Sequence, residues 1–380
     1  MSGDNCISNA RIVTQDGIVH GSILLRDGKI AAIDEGNARI GQDLDGDYLL
    51  PGFVELHTDH LESHFLPRPG VEWPAINAVI AHDAQIAASG ITTVLDSLRV
   101  GSFDREEEVR RSSAMVLAQA LSAARQMQLL RVDHLIHLRC ELPCPDTLQG
   151  TEQMLSQEGV RLISVMDHTP GERQFTSIDK FREYYLGKKL MGPEQLEVFI
   201  EDRKGLNKLY SDNNRRAITK LARERAIAIA SHDDATSAHV EEALSDGAVI
   251  AEFPTTADAS AAAHKAGLAV LMGAPNLVRG GSHSGNISSR EVAASGHLDI
   301  LSSDYVPGSL LQAVFRMPLE VEAISLSQAV AMVSRNPARA VSLEDRGEIA
   351  LGKRADLIHV RQRDGVAHVR QVWRGGERVI

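Results

Sequence analysis

The sequence has little cysteine, few aromatic residues, no surplus of positive charge and no long apolar run. Three cysteines in 380 residues, Cys6, Cys140 and Cys144, leave one unpaired when two are bridged. That is no secreted disulfide framework, and it points to a reducing compartment. Aromatic residues make up 4% while Ala, Ile, Leu and Val abound, which favours parallel strands covered by helices over an aromatic-rich β-sandwich. Acidic residues outnumber basic ones by 51 to 40, and the resulting charge of −11 opposes generic attraction to nucleic acid or an anionic membrane. Nowhere do about 18 apolar residues follow one another, and the opening MSGDNCISNARIVTQDG lacks a basic stretch leading into an apolar core. A cytoplasmic protein is expected. What is present, 43% hydrophobic and 24% charged residues, is ample material for a core.

The length admits one α/β barrel of about 250 residues with an accessory unit, or two to three ordinary domains. Gly and Asp-Gly turn signals break the first fifty residues into short strands, and RGEIALGKRADLIHV and HVRQVWRGGERVI return to that pattern at the end. Residues 1–51 and 341–380 therefore read as one β unit. Between them, over 52–340, apolar strand runs alternate with helical stretches, which predicts βα units and a parallel sheet. The expected strands are 53–57, 92–96, 134–142, 161–168, 227–232, 249–253, 269–273 and 299–304. Helices are expected over 105–128, 236–245, 257–266 and 288–294. The stretch 169–216 reads as a long polar insertion of the kind that carries specificity on barrels.

The strongest local signal is LLPGFVELHTDHLESH, an apolar strand running into histidines and carboxylates. Strand parity places Glu55, His57 and Asp59 on one face. On its own, a His or Asp at a strand end is more often a hydrogen-bonding turn residue than a ligand. Here polar residues recur at the ends of later strands, where barrel active sites assemble: Glu141, His168, His232 and Asp304. Imidazoles and carboxylates converging on one mouth suit one or two divalent ions, which depress the pKa of bound water toward neutrality. Asp304 is placed to orient that water and accept its proton. Leu56, Thr58 and His60 fall on the opposite face, which leaves a ligand role for His60 open, and His137 and Arg139 read as a buried hydrogen-bonded pair beneath the site.

PGFVELHTD after a split β unit, with SRNPAR and GEIALGKRADLIHV near the end, resembles the amidohydrolase superfamily over essentially the whole chain. The resemblance implies a (β/α)8 TIM-type barrel with a small β-sandwich built from both termini. The usual first motif has two histidines one residue apart, whereas here His57 is followed by Asp59. No lysine ends a middle strand, so Glu141 is the implied bridging or substitute carboxylate, and AEFPTT lacks the usual sixth-strand His. More narrowly, ELHTDHLESHFLPRPGVEWP, SVMDHTPGERQF, GAPNLVRGGSHSGN and LSSDYVPGSLL resemble phosphonate-metabolism members of that superfamily. They imply metal-dependent hydrolysis of ribose 1-methylphosphonate 5-triphosphate to its 5-phosphate and pyrophosphate, in the carbon–phosphorus lyase pathway.

A triphosphate needs cationic and N–H donors. Arg68, Arg173 and Arg279, with His283 and Ser284 in a Gly/Ser loop able to form an anion nest, are the expected contacts. Lys188, Lys189, Arg203 and Lys204 read as solvated charges. Zinc is the first choice of metal, with manganese, iron or nickel as alternatives. The partner is a small ribosyl triphosphate, with neither nucleic acid nor membrane, and a homo-oligomer is compatible with the sequence. The rivals are a cyclic-amide hydrolase or nucleobase deaminase on the same barrel, and a catalytically silent pathway subunit.

Overall fold

A computed structural model describes residues 5–36, 40–101, 105–175, 177–187, 192–281 and 286–380. The chain opens with β1 (Asn5–Thr14), β2 (Gly17–Arg26), β3 (Lys29–Glu35), β4 (Gln42–Asp43) and β5 (Tyr48–Pro51). The eight expected strands of the middle follow as β6 (Phe53–Thr58), β7 (Ile91–Val100), β8 (Asp133–Glu141), β9 (Val160–Met166), β10 (Ala228–His232), β11 (Ile250–Glu252), β12 (Ala269–Gly273) and β13 (Ile300–Ser302). The chain closes with β14 (Leu357–Arg363), β15 (Val366–Arg374) and β16 (Glu377–Arg378).

The two ends form one largely antiparallel sheet, ordered β16-β15-β14-β5-β1-β2-β3, in which β1 pairs in parallel with β4 and β5. The middle strands form a second sheet in the order β13 to β6, and parallel pairing of Thr58 with Asp304 joins its first strand to its last region. This is a nearly closed (β/α)8 barrel. All six residues of β6 are buried, as expected of a strand covered on both faces. On β15, by contrast, exposed Val366, His368 and Arg370 alternate with half-buried Ala367, Val369 and Gln371, the period-two signature of a half-solvated strand.

The chain forms two compact units. One comprises Met1–Asp96, Ala120–Leu135 and Met272–Ile380. Its terminal sheet buries Ile7, Ile12, Ile23, Leu49, Leu357 and Trp373 in one apolar cluster. Gly52, between β5 and β6, is required to be glycine because a Cβ there would lie 2.2 Å from Thr92 Oγ1. Asp133 accepts from Arg346 at 2.7 Å and also pairs with Arg354, fastening the returning chain to the start of β8.

The other unit comprises Ser97–Gln119 and Ile136–Leu271. Its helices Ser237–Asp246 and Ala257–Lys265 begin where Thr236 and Thr256 accept the His239 and Ala259 N–H groups, so both helix starts follow from local capping. The polar insertion is helical: Ile178–Gly187 is followed by a 32-residue helix, Pro193–Glu224. Leu196 and Ile200, one turn apart, pack with Phe181 beneath a charge-rich surface. Arg203 corrects the expectation of a solvated charge, because it is buried with its guanidinium 4.5 Å from the Phe199 ring centroid. Lys188 and Lys189 lie outside the described residues. All three cysteines are free, and among the described residues no helix is long and apolar enough to cross a membrane.

Candidate active site

In the first unit, chemistry gathers where β6 meets β13. Glu55 is fully buried and accepts the His57 N–H at 2.7 Å and the Ser303 N–H at 2.6 Å. Burial nevertheless pushes its pKa up to about 7, against those hydrogen bonds. The His57 carbonyl accepts the Ser302 hydroxyl at 2.6 Å and the Asp304 N–H at 3.1 Å, while Thr58 Oγ1 donates to the Asp304 carbonyl at 2.9 Å. The backbone thus holds His57 beside Asp304, whose φ of +51° turns the chain out of the strand.

Asp59 departs from the expected parity. The strand ends at Thr58, and Asp59 caps the short helix His60–Phe65 with φ −96° and ψ 14°. Asp59 thus belongs to the helix start and lies one residue beyond the alternation of the strand. Arg68 is exposed beside its bridge partner Val71. Arg279 is also exposed, ending helix Ala274–Arg279 with Nη1 3.4 Å from the Tyr305 hydroxyl. His283 and Ser284 lie outside the described residues.

In the second unit, His168 and His232 stand just past β9 and at the end of β10, with ring centroids 5.6 Å apart. His168 Nδ1 meets Glu141 Oε2 at 2.5 Å, and its backbone N–H donates to Glu141 Oε1 at 3.0 Å. Arg99 adds a third bond to Glu141, at 3.1 Å. Burial raises the Glu141 pKa, but His168 and Arg99 outweigh it and hold the carboxyl at about 2. Burial likewise opposes charge on His168, and Glu141 then Asp233 override it and raise its pKa. Glu141, expected as a metal ligand, is thus placed with both oxygens on His168. Next in the chain, Asp167 accepts from Asn207 at 2.7 Å and Ser211 at 2.8 Å, so the insertion helix braces the end of β9.

His232 Nδ1 meets Glu252 Oε2 at 2.6 Å. Ser164 donates to the same oxygen at 2.6 Å, and His137 lies between Ser164, at 2.6 Å, and Ser97, at 3.2 Å. Sequence reasoning expected His137 to be buried and missed Glu252, which stands on the strand noted for lacking a His.

Arg173 is a correction. Expected to contact phosphate, it is 3% exposed, paired with Asp234 and Glu242 and within 3.1 Å of the Ser231 hydroxyl. Its Nη1 serves buried Ser231 and Asp234 and its Nη2 serves partly exposed Glu242, which makes it a strut between the loop after β9 and the chain that follows β10.

A third buried group went unread. In the first unit, Asp96 takes His82 Nε2 at 2.8 Å and His134 Nδ1 at 2.7 Å, and Asp83 lies 3.4 Å from His134. Burial opposes a charged His134, but Asp96 and Asp83 raise its pKa to about 9, while the imidazoles hold Asp96 at about 2 despite its burial. His134 and Asp96 balance each other, while Asp83 is paired with Arg131 at 3.0 Å. A histidine raised on folding stabilises fully below its ordinary pKa of 6.5, and that contribution is lost as pH rises through 9. Urea unfolding between these pH values is therefore expected to show falling stability in the wild type. In His134→Gln that part of the slope should be absent; an identical slope would contradict the assignment.

The amidohydrolase family pattern matches residues 209–380. The chain is 47% identical over 377 residues to α-D-ribose 1-methylphosphonate 5-triphosphate diphosphatase of Escherichia coli K12, covering 98% of this chain and all of that protein. Among solved structures, N-acetyl-D-glucosamine-6-phosphate deacetylase from Mycobacterium smegmatis is 17% identical with a TM-score of 0.63, covering 99% of this chain and 100% of that one. The 5-methylcytosine deaminase from Klebsiella pneumoniae is 17% identical with a TM-score of 0.64, covering 99% and 98%. At that identity the two structures speak for the fold alone.

Proposed function

The chain belongs to the amidohydrolases and, through a full-length relative, to the α-D-ribose 1-methylphosphonate 5-triphosphate diphosphatases; on that premise we propose that it hydrolyses this triphosphate to the 5-phosphate and pyrophosphate. The full-length relationship is the observation that carries the reading. The reaction belongs to phosphonate catabolism, and we place it in the cytoplasm, in keeping with three free cysteines.

Candidate ligands for one or two divalent ions stand in each unit: His57, Asp59 and Asp304 in the first, His168 and His232 in the second. The donor chemistry fits, because His168 and His232 each have Nδ1 engaged by a buried carboxylate. Zinc remains the first choice for such donors, ahead of manganese, iron or nickel. When bound, a divalent ion supplies charge neutralisation at the phosphoryl group and lowers the pKa of water. Asp304 takes the proton of the water that attacks the α-phosphorus. Exposed Arg68 and Arg279 offset the charge of the triphosphate, which is greatest as pyrophosphate leaves.

Phosphorus NMR of the purified enzyme with the ribosyl triphosphate tests the reading. Pyrophosphate and the 5-phosphate should appear together, stop after dialysis against a chelator and resume on addition of zinc. Successive release of orthophosphate, or undiminished turnover after complete metal removal, contradicts the proposal.

A further inference from the structure

Asp233 lies outside the ligand set read from the sequence. It is 5% exposed, and its Oδ2 has no hydrogen-bond partner among the described residues. A buried carboxylate oxygen without a donor is costly and calls for an explanation. Two ring nitrogens face it: His168 Nε2 at 3.7 Å and His232 Nε2 at 3.6 Å. Both separations are too long for hydrogen bonds. They are close to what a shared ion requires, since tetrahedral ligands about 2.0–2.2 Å from zinc stand roughly 3.3–3.6 Å apart.

The opposite nitrogens strengthen the case. His168 Nδ1 is held by Glu141 and His232 Nδ1 by Glu252, at 2.5 and 2.6 Å. An Nδ1–H donated to a carboxylate puts the ring proton on Nδ1, gives Nε2 the lone pair that a metal takes, and fixes the ring's orientation. Asp233 has φ +58°, held there by its N–H bond to the Glu252 carbonyl at 2.9 Å. One residue of β11 therefore sets both His232, through its side chain, and Asp233, through its backbone. Left-handed backbone at a non-glycine residue persists where surroundings enforce it, commonly at functional sites.

We propose that Asp233 is itself a ligand of the divalent ion, completing a three-point face with His168 Nε2 and His232 Nε2, while Glu141 and Glu252 orient the imidazoles. This deepens the proposed function by defining one metal position, and it rests on that reading only for the identity of the reaction.

The test uses chelator-stripped full-length protein titrated with zinc and with cobalt against a competing chromophoric chelator. Asp233→Asn keeps the side-chain volume and tolerates positive φ. It is expected to weaken binding of one metal equivalent by at least about 100-fold, above the 10- to 100-fold usual for orienting residues, and to shift the cobalt absorption spectrum. Wild-type affinity and spectrum in a folded variant would overturn the proposal. Should the variant not fold, anomalous diffraction from zinc-loaded wild-type crystals decides: an ion within bonding distance of the Asp233 carboxylate supports the assignment, and bound zinc beyond its reach overturns it. Metal on Asp233 without pyrophosphate release would sink the proposed reaction and leave this site standing.

Discussion

Asp304→Asn is expected to lower pyrophosphate release by about 10²–10⁴-fold, the usual loss when a positioned proton acceptor is removed. Two features of the structure make the experiment clean. Asn tolerates the left-handed φ of +51° at this position, so the chain need not rearrange. The Asp304 main chain, moreover, makes the bonds to His57 and Thr58 whatever the side chain. Thermal unfolding of the variant should stay close to wild type while phosphorus NMR shows substrate persisting. A variant that turns over at the wild-type rate would remove Asp304 from proton transfer.

Arg173→Leu is expected to cost on the order of 3–5 kcal/mol of stability, the range found when one member of a buried ion pair is removed. Asp234 bears most of that cost, because it is fully buried while Glu242 is partly in water. Denaturant unfolding measures the loss, and KM for the triphosphate, measured on the fraction that folds, separates the two roles proposed for this side chain. Unchanged stability with a large rise in KM would restore the phosphate contact read from the sequence. Lost stability with little change in KM would confirm the strut.

The contrast between these two residues shows what could be read from the chain alone. Asp304 follows a short apolar run and a turn, so its place at a strand end is a local property. Arg173 also follows a strand end in His168 by a few residues, yet its partners Asp234 and Glu242 are 61 and 69 positions away. Nothing local distinguishes a guanidinium reaching for phosphate from one folded back on buried carboxylates. The same limit applies to Glu252, whose role depends on His232 twenty residues earlier and on Ser164 farther still. The insertion helix was missed for a different reason. Its buried face includes Arg203, Asn214 and Arg215 beside Leu196 and Ile200, so polar residues interrupt the apolar periodicity that marks an amphipathic helix.

Strand alternation, turn chemistry and capping residues act within a few positions, and from them the sequence by itself determined the eight barrel strands, the shared sheet of the two termini and the histidines at the strand ends. Only the tertiary structure decided which oxygens and nitrogens face one another. It turned Glu141 and Glu252 into partners of imidazoles, withdrew Arg173 from the solvent and left Asp233 Oδ2 buried without a donor. Burial makes each of those pairings strong or costly, and burial is fixed by residues distant in sequence that the fold brings together.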